Sequence, residues 1–168
     1  MWSDAPSRRR ALAGLGLLAA LPACGFAPAY APEGPAQTLR GEVLPDPPGN
    51  QLAFRFVAAL EDRLGRAGDG AAFALGYALS VDNVVTARTG TGGALRRALQ
   101  GSASYDLRRR DGGAVIASGR VSAFTAYSDT GTPVAVRSAQ VDAERRLAVI
   151  LADRVVTRLL LTVPDAAP

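Results

Sequence analysis

The chain predicts an α+β fold, a two-layer sandwich in which two helices pack on one face of a four-stranded sheet in the order β-α-β-β-β-α. Three observations carry that expectation. Strict alternation of apolar and polar residues recurs in three consecutive segments between residues 73 and 127, each bounded by turn residues. A stretch with helical spacing stands before those segments and a longer one after them. A short run with strand character precedes the first helix and supplies the fourth strand. The length of 168 residues, 48% of them hydrophobic, suffices for one domain. Aromatic residues make up only 6%, so the core must be built from small aliphatic side chains.

The N-terminus reads as an export signal. Arg8-Arg9-Arg10 precedes the uncharged apolar run Ala11–Leu21, which is shorter than the roughly 20 residues a membrane-spanning helix needs. The run leads into Leu21-Pro22-Ala23-Cys24, which resembles a bacterial lipobox: an aliphatic residue at −3, a small one at −1, and the cysteine that receives a diacylglyceryl group before cleavage. Pro22 departs from the small or β-branched residue usual at −2. The only thiol of the chain then becomes a lipid attachment point, and residues 1–23 are a signal peptide. An ordinary cleavage site at Ala27-Pro28-Ala29 competes with this reading and would discard Cys24. Ser7–Leu12 resembles part of a twin-arginine export motif, which leaves the route open. Two or more acyl chains would hold the protein on a membrane, at about 0.8 kcal/mol per buried methylene.

From Ala27 to Pro48 prolines interrupt regular structure, except for a strand expected over Thr38–Leu44. Residues 24–37 thus read as a lipidated tether, residues 38–163 as the single domain and residues 164–168 as a tail. Asn50 is placed to cap a helix whose apolar positions Leu52, Phe56, Leu60 and Leu64 recur every fourth residue until Gly65 or Gly68. The first alternating segment runs through Phe73, Leu75, Tyr77, Leu79 and Val81. The second runs through Leu95, Leu99, Ala103, Tyr105 and Leu107. The third runs from Val115 through Val121 and Thr125 to Tyr127. Asp111-Gly112-Gly113 predicts a tight turn, and Thr86–Gly93 a longer, more mobile loop. After Ser128–Pro133 the pattern turns helical from about Val136 to Leu161, with Ala139, Ala143, Leu147, Leu151, Val155 and Leu159 on the inner face.

Composition removes whole classes of chemistry. All nineteen basic residues are arginine, so neither histidine nor lysine is available. Triads built on histidine, imidazole metal ligands, Schiff bases and phosphate-loop lysines are excluded. Removal of residues 1–23 takes away three arginines and Asp4, leaving 16 basic and 14 acidic groups. A net charge of that size outside the cytoplasm argues against nucleic acid as a partner. The carboxylates Asp82, Asp106 and Asp129 are not spaced as a catalytic pair, so the sequence predicts no enzyme, metal or cofactor.

The segment Cys24-Gly25-Phe26-Ala27-Pro28-Ala29-Tyr30 closely resembles the mature start of lipoproteins of the LptE family of lipopolysaccharide assembly, notably its alphaproteobacterial members. The aromatic third strand ending at Tyr127 and the helix Asp142–Leu159 are similar too. The resemblance implies an outer-membrane lipoprotein facing the periplasm and anchored through acylated Cys24. It also implies a non-catalytic role: to plug and support the LptD β-barrel and to contact lipopolysaccharide on its way to the outer leaflet. An auxiliary lipoprotein of another envelope lipid-transport complex is the competing reading. The isolated domain is expected to be monomeric.

Arginine suits contact with lipid phosphates, because its planar fork donates two parallel hydrogen bonds. Candidate contacts with lipopolysaccharide or the barrel are Arg88, Arg96 and Arg97 at one end of the sheet and Arg108, Arg109 and Arg110 at the other. The first three rank higher, since neighbouring glycines let a ligand approach the backbone. Their alternative role is as solvated charges guarding strand edges. Tyr105, Phe124 and Tyr127 face either the core or a partner, the core being favoured.

Overall fold

A computed structural model describes residues 34–163 of the chain. In chain order they form α1 (Pro35–Leu39), β1 (Val43–Pro45), α2 (Gln51–Leu64), β2 (Phe73–Arg88), β3 (Ala94–Arg109), β4 (Val115–Ser128) and α3 (Pro133–Thr162). The sheet order is β1-β2-β3-β4, with β1 parallel to β2 and the other pairs antiparallel. From β1 onward the order is the expected β-α-β-β-β-α, and the helices pack against the sheet.

The entry to the domain differs from the sequence expectation. Thr38 and Leu39 are helical rather than extended, and only Val43–Pro45 pairs as a strand. The cause is local. Pro35 sits in the first turn of α1, where its fixed φ suits a helix and its missing N–H costs nothing. Gly41, at φ 72°, then reverses the chain and donates its N–H to the Leu64 carbonyl at 2.7 Å, docking the turn on the end of α2. Fully buried Leu39 anchors α1. Pro35–Gln37, read from sequence as tether, therefore belong to α1; Cys24 and the rest of the tether lie outside the described residues, as does the tail.

Helix α2 begins as its sequence predicts, with the Asn50 side chain accepting from the Ala53 N–H at 2.8 Å, and it ends at Gly65 with φ 80°. Helix α3 starts three residues earlier than the apolar spacing suggested, because Thr132 caps it and Pro133 opens it. The loop expected over Thr86–Gly93 is shorter. Strand β2 continues through register shifts near Val85 and Ala87 to Arg88, and the turn is closed by Thr89 N–H to Gly93 carbonyl at 2.7 Å. At the far end, Gly113, with φ 69°, makes the expected tight turn and donates to the Arg109 carbonyl at 3.0 Å.

One core joins the layers. Odd-numbered residues of the three long strands, among them Leu75, Leu99, Ala103, Leu107 and Ala123, meet Ala143, Leu147, Leu151, Val155 and Leu159 of α3 and Phe56 and Leu60 of α2. Tyr105 and Tyr127 belong to this core, whereas Phe124 points out of it and is 73% exposed. Gly101 sets the spacing of the layers: a Cβ there would stand 2.8 Å from Leu147 Cδ2. The other face of the sheet is covered by no element of the described residues. It carries small polar side chains in register, Ser80 opposite Ser102 and Ser102 opposite Ser122.

Candidate functional site

Strand β3 carries most of the candidate arginines, and its length separates them. Arg97 and Arg108 stand eleven positions apart, roughly 37 Å along an extended chain. The two groups therefore occupy opposite ends of the β2–β3 hairpin and form two surfaces.

At the turn end, the three candidates have different environments. Arg88 donates from Nη1 to the Gly92 carbonyl at 3.0 Å, bracing its own turn, and Gly92 adopts φ 90° to allow it. Arg97 donates from Nε to Asp129 Oδ2 at 2.6 Å. That hydrogen bond, reinforced by the carboxylate charge, raises the guanidinium pKa above its already high value. Arg96 points to the opposite face of the sheet, as alternate strand residues must, and its side chain makes no ion pair or hydrogen bond among the described residues. The adjacent arginines thus do not form one clamp. Arg97 belongs to a network with Asp129 near Tyr127, whose hydroxyl accepts from Asn83 at 2.9 Å; Arg96 presents a free guanidinium to solvent.

At the other end, Arg108 Nε pairs with Asp106 Oδ2 at 2.6 Å. Arg110 Nη1 donates to the carbonyls of Asp69 and Ala71, at 2.5 and 3.1 Å, and so fastens the segment leading into β2. Arg109, between them, is half-buried and lines a cavity of about 270 Å³ with Phe73 and Asp111. Of this triplet, Arg110 alone ties remote segments together; Arg108 is paired within its own strand.

A third cationic surface escaped sequence reasoning. Between β4 and α3 lies a cavity of about 510 Å³ lined by Arg120, Arg154 and Arg158 around the apolar side chains of Val121 and Ile150. Arg120 donates to Ser104 Oγ at 3.0 Å, and Arg154 donates to the Ser122 carbonyl. Asp153, on the same wall, is matched by Arg63 at 2.8 Å. The three guanidiniums come from positions up to 38 residues apart, so no local motif announces them; the only signal is that Arg154 and Arg158 stand one turn apart on α3. The lining is cationic and partly apolar, with Arg120 and Arg154 each already engaged by a protein oxygen. Among the described residues no group of acidic or cysteine side chains is placed to hold a metal ion, and no helix is long and apolar enough to cross a membrane.

Fold and surface together define a small two-layer α+β domain of a kind shared with bacterial lipoproteins. A crystal structure of a lipoprotein candidate from Caulobacter crescentus CB15 superposes with a TM-score of 0.63 at 25% identity, covering 76% of this chain and 93% of that one. Rare lipoprotein B of Shewanella oneidensis shares the fold at a TM-score of 0.55 and 13% identity, over 74% of this chain and 96% of that one. A minor lipoprotein of Acinetobacter baumannii does so at 0.53 and 14%, over 71% and 88%. No curated protein matches the chain by sequence. The model of the LptE family, described as lipopolysaccharide-assembly, matches residues 36–159, and the chain belongs to that family. Its role lies accordingly in lipopolysaccharide assembly.

Proposed function

We propose that the protein is a non-catalytic outer-membrane lipoprotein, anchored through acylated Cys24, that plugs and supports an LptD-type β-barrel and contacts lipopolysaccharide during its passage to the outer leaflet. The observation that carries this reading is the family match, which spans the domain from α1 to the last turns of α3. The absence of histidine and lysine from the whole chain supports a role without covalent or acid–base chemistry. Arg88, Arg96 and Arg97 remain the first candidates for phosphate contact. Arg96 leads them, because it gives up no internal partner when it binds a ligand.

Affinity purification of the tagged full-length protein from detergent-extracted envelopes, with mass spectrometry of its N-terminal peptide and of co-purifying proteins, tests the proposal. Acylated Cys24 together with one barrel-sized protein in equal amount is the expected result. Acylation with subunits of an inner-membrane transporter would support the auxiliary-lipoprotein alternative, and an N-terminus at Tyr30 would remove the anchor. For the contact residues, Arg96→Ala is expected to weaken lipopolysaccharide binding with an unchanged melting temperature. Arg110→Ala is expected to lower the melting temperature instead.

A further inference from the structure

The two outer edges of the sheet are built differently. The edge of β4 is guarded by α3: Arg154 donates to the Ser122 carbonyl and Arg146 Nη2 donates to the Ala126 carbonyl at 3.2 Å. The edge of β2 has no such protection. Strand β1 covers only Phe73–Leu75, with Phe73 N–H bonded to the Glu42 carbonyl and Asp46 N–H to the Leu75 carbonyl, before Pro47 and Pro48 lead the chain away. Alternate residues of a strand present their backbone groups to opposite neighbours. The outward set that begins with Phe73 and Leu75 thus continues at Tyr77, Leu79, Val81 and Asn83.

None of those four residues has a backbone hydrogen bond on that side among the described residues. Between Gly76 and Val85 there is also no proline, no arginine and no bulge, and Asp82 is the only charge. These are the devices by which exposed edges normally avoid pairing. Where β1 departs, a cavity of about 300 Å³ opens in line with it, bounded by Asp46, Asn50, Ala53, Tyr77 and Leu79.

We propose that the edge of β2 from Tyr77 to Asn83 is a docking strand, onto which an extended segment of another protein pairs in continuation of β1. The segment carries apolar residues at alternate positions, facing Leu79 and Val81, one of them bulky enough to enter the cavity beside Tyr77. Its other face is polar, against Ser80 and Asp82. A second copy of this chain fits less well: the antiparallel register that satisfies all four outward residues sets Tyr77 opposite Asn83, offering the cavity a small polar side chain. The assignment of the segment to the β-barrel rests on the reading under Proposed function; the strand-pairing mode does not.

Photo-crosslinking in native envelopes separates the two. Full-length protein carrying p-benzoylphenylalanine at Ser80, at Asp82 or, on the guarded side, at Phe124 is irradiated, and the linked peptides are sequenced. Ser80 and Asp82 are expected to capture one partner segment at sites two residues apart, while Phe124 does not reach that segment. Val81→Pro, which removes an outward N–H without touching the β2–β3 ladder, is expected to lower the yield from Asp82 about tenfold. Should that variant fail to fold, Val81→Arg makes the same test with a guarding charge. Capture of an extended segment in a protein other than a barrel would uphold the pairing and overturn its assignment to the barrel. Capture of a second copy only, no capture from Ser80 and Asp82, or undiminished capture in the Val81 variants would overturn the proposal.

Discussion

Tyr77 shows how a single side chain reports its surroundings. Its ring lies 5.1 Å from that of Phe56, and its hydroxyl is buried with no hydrogen-bond partner among the described residues. Burial, with a smaller contribution from the charge of Asp46, raises its pKa above the usual tyrosine value. A buried polar atom without a partner costs stability, so Tyr77→Phe is expected to leave the domain as stable or to stabilise it by up to about 1 kcal/mol in urea unfolding. A loss above that size would mean the hydroxyl is satisfied. Gly101→Ala is expected to act oppositely, costing about 1–3 kcal/mol, because the new methyl would stand 2.8 Å from Cδ2 of the fully buried Leu147. Undiminished stability would show that α3 can shift outward. The arginines teach a related lesson. Six of them looked alike in the sequence, and the ends of the hairpin on which they fall were legible from the turns. Their roles were not, because the partners that sort them are remote: Asp129 holds Arg97, and the carbonyls of Asp69 and Ala71 hold Arg110.

At the scale of elements, periodicity decided what was legible. Helix α2, the three long strands and α3 each repeat their pattern over enough residues to overcome local noise. Helix α1 has five residues and begins with proline, and β1 has three, so neither shows a period. Caps were legible for a different reason: an Asn before an apolar helical run satisfies an N–H that the helix cannot satisfy itself. Asn50→Ala is expected to cost about 1 kcal/mol in thermal or urea unfolding, and no change would show that water replaces the side chain. On α3, Asp142 lies between Arg145 and Arg146, with contacts at 2.6 and 2.9 Å. The hydrogen bond from Arg145, followed by that from Arg146, holds its carboxyl below the usual carboxylate range. A carboxylate with a lowered folded-state pKa stabilises the fold above its unfolded value and loses that contribution as the pH falls through the folded one. The melting-temperature difference between wild type and Asp142→Asn is therefore expected to be constant above the ordinary aspartate range and to shrink as the pH falls below it. A difference that persists in acid would assign the effect to packing.

The molecule as a whole rests on α3, whose residues Leu147, Leu151, Val155 and Leu159 are all fully buried against both the sheet and the rest of the core. Leu151→Ala is expected to cost about 2–5 kcal/mol and to lower the melting temperature measured by any spectroscopic probe together, since one core serves all elements. Separate transitions for helix and sheet signals would contradict a single core. At this scale the layer order was legible, because alternation and helical spacing each fix a buried face. The cavity between β4 and α3 was not, since its arginines become neighbours only when the helix lies down on the sheet. The brevity of β1 also has a mechanical meaning. Tension entering from the residues before α1 reaches the body through Leu39, the Gly41 turn and three paired residues of β1. The antiparallel strands and α3 lie behind that attachment. A pull from the N-terminal side is therefore expected to detach α1 and β1 first, so that the entry segment yields as a shock absorber before the load reaches the long hairpin.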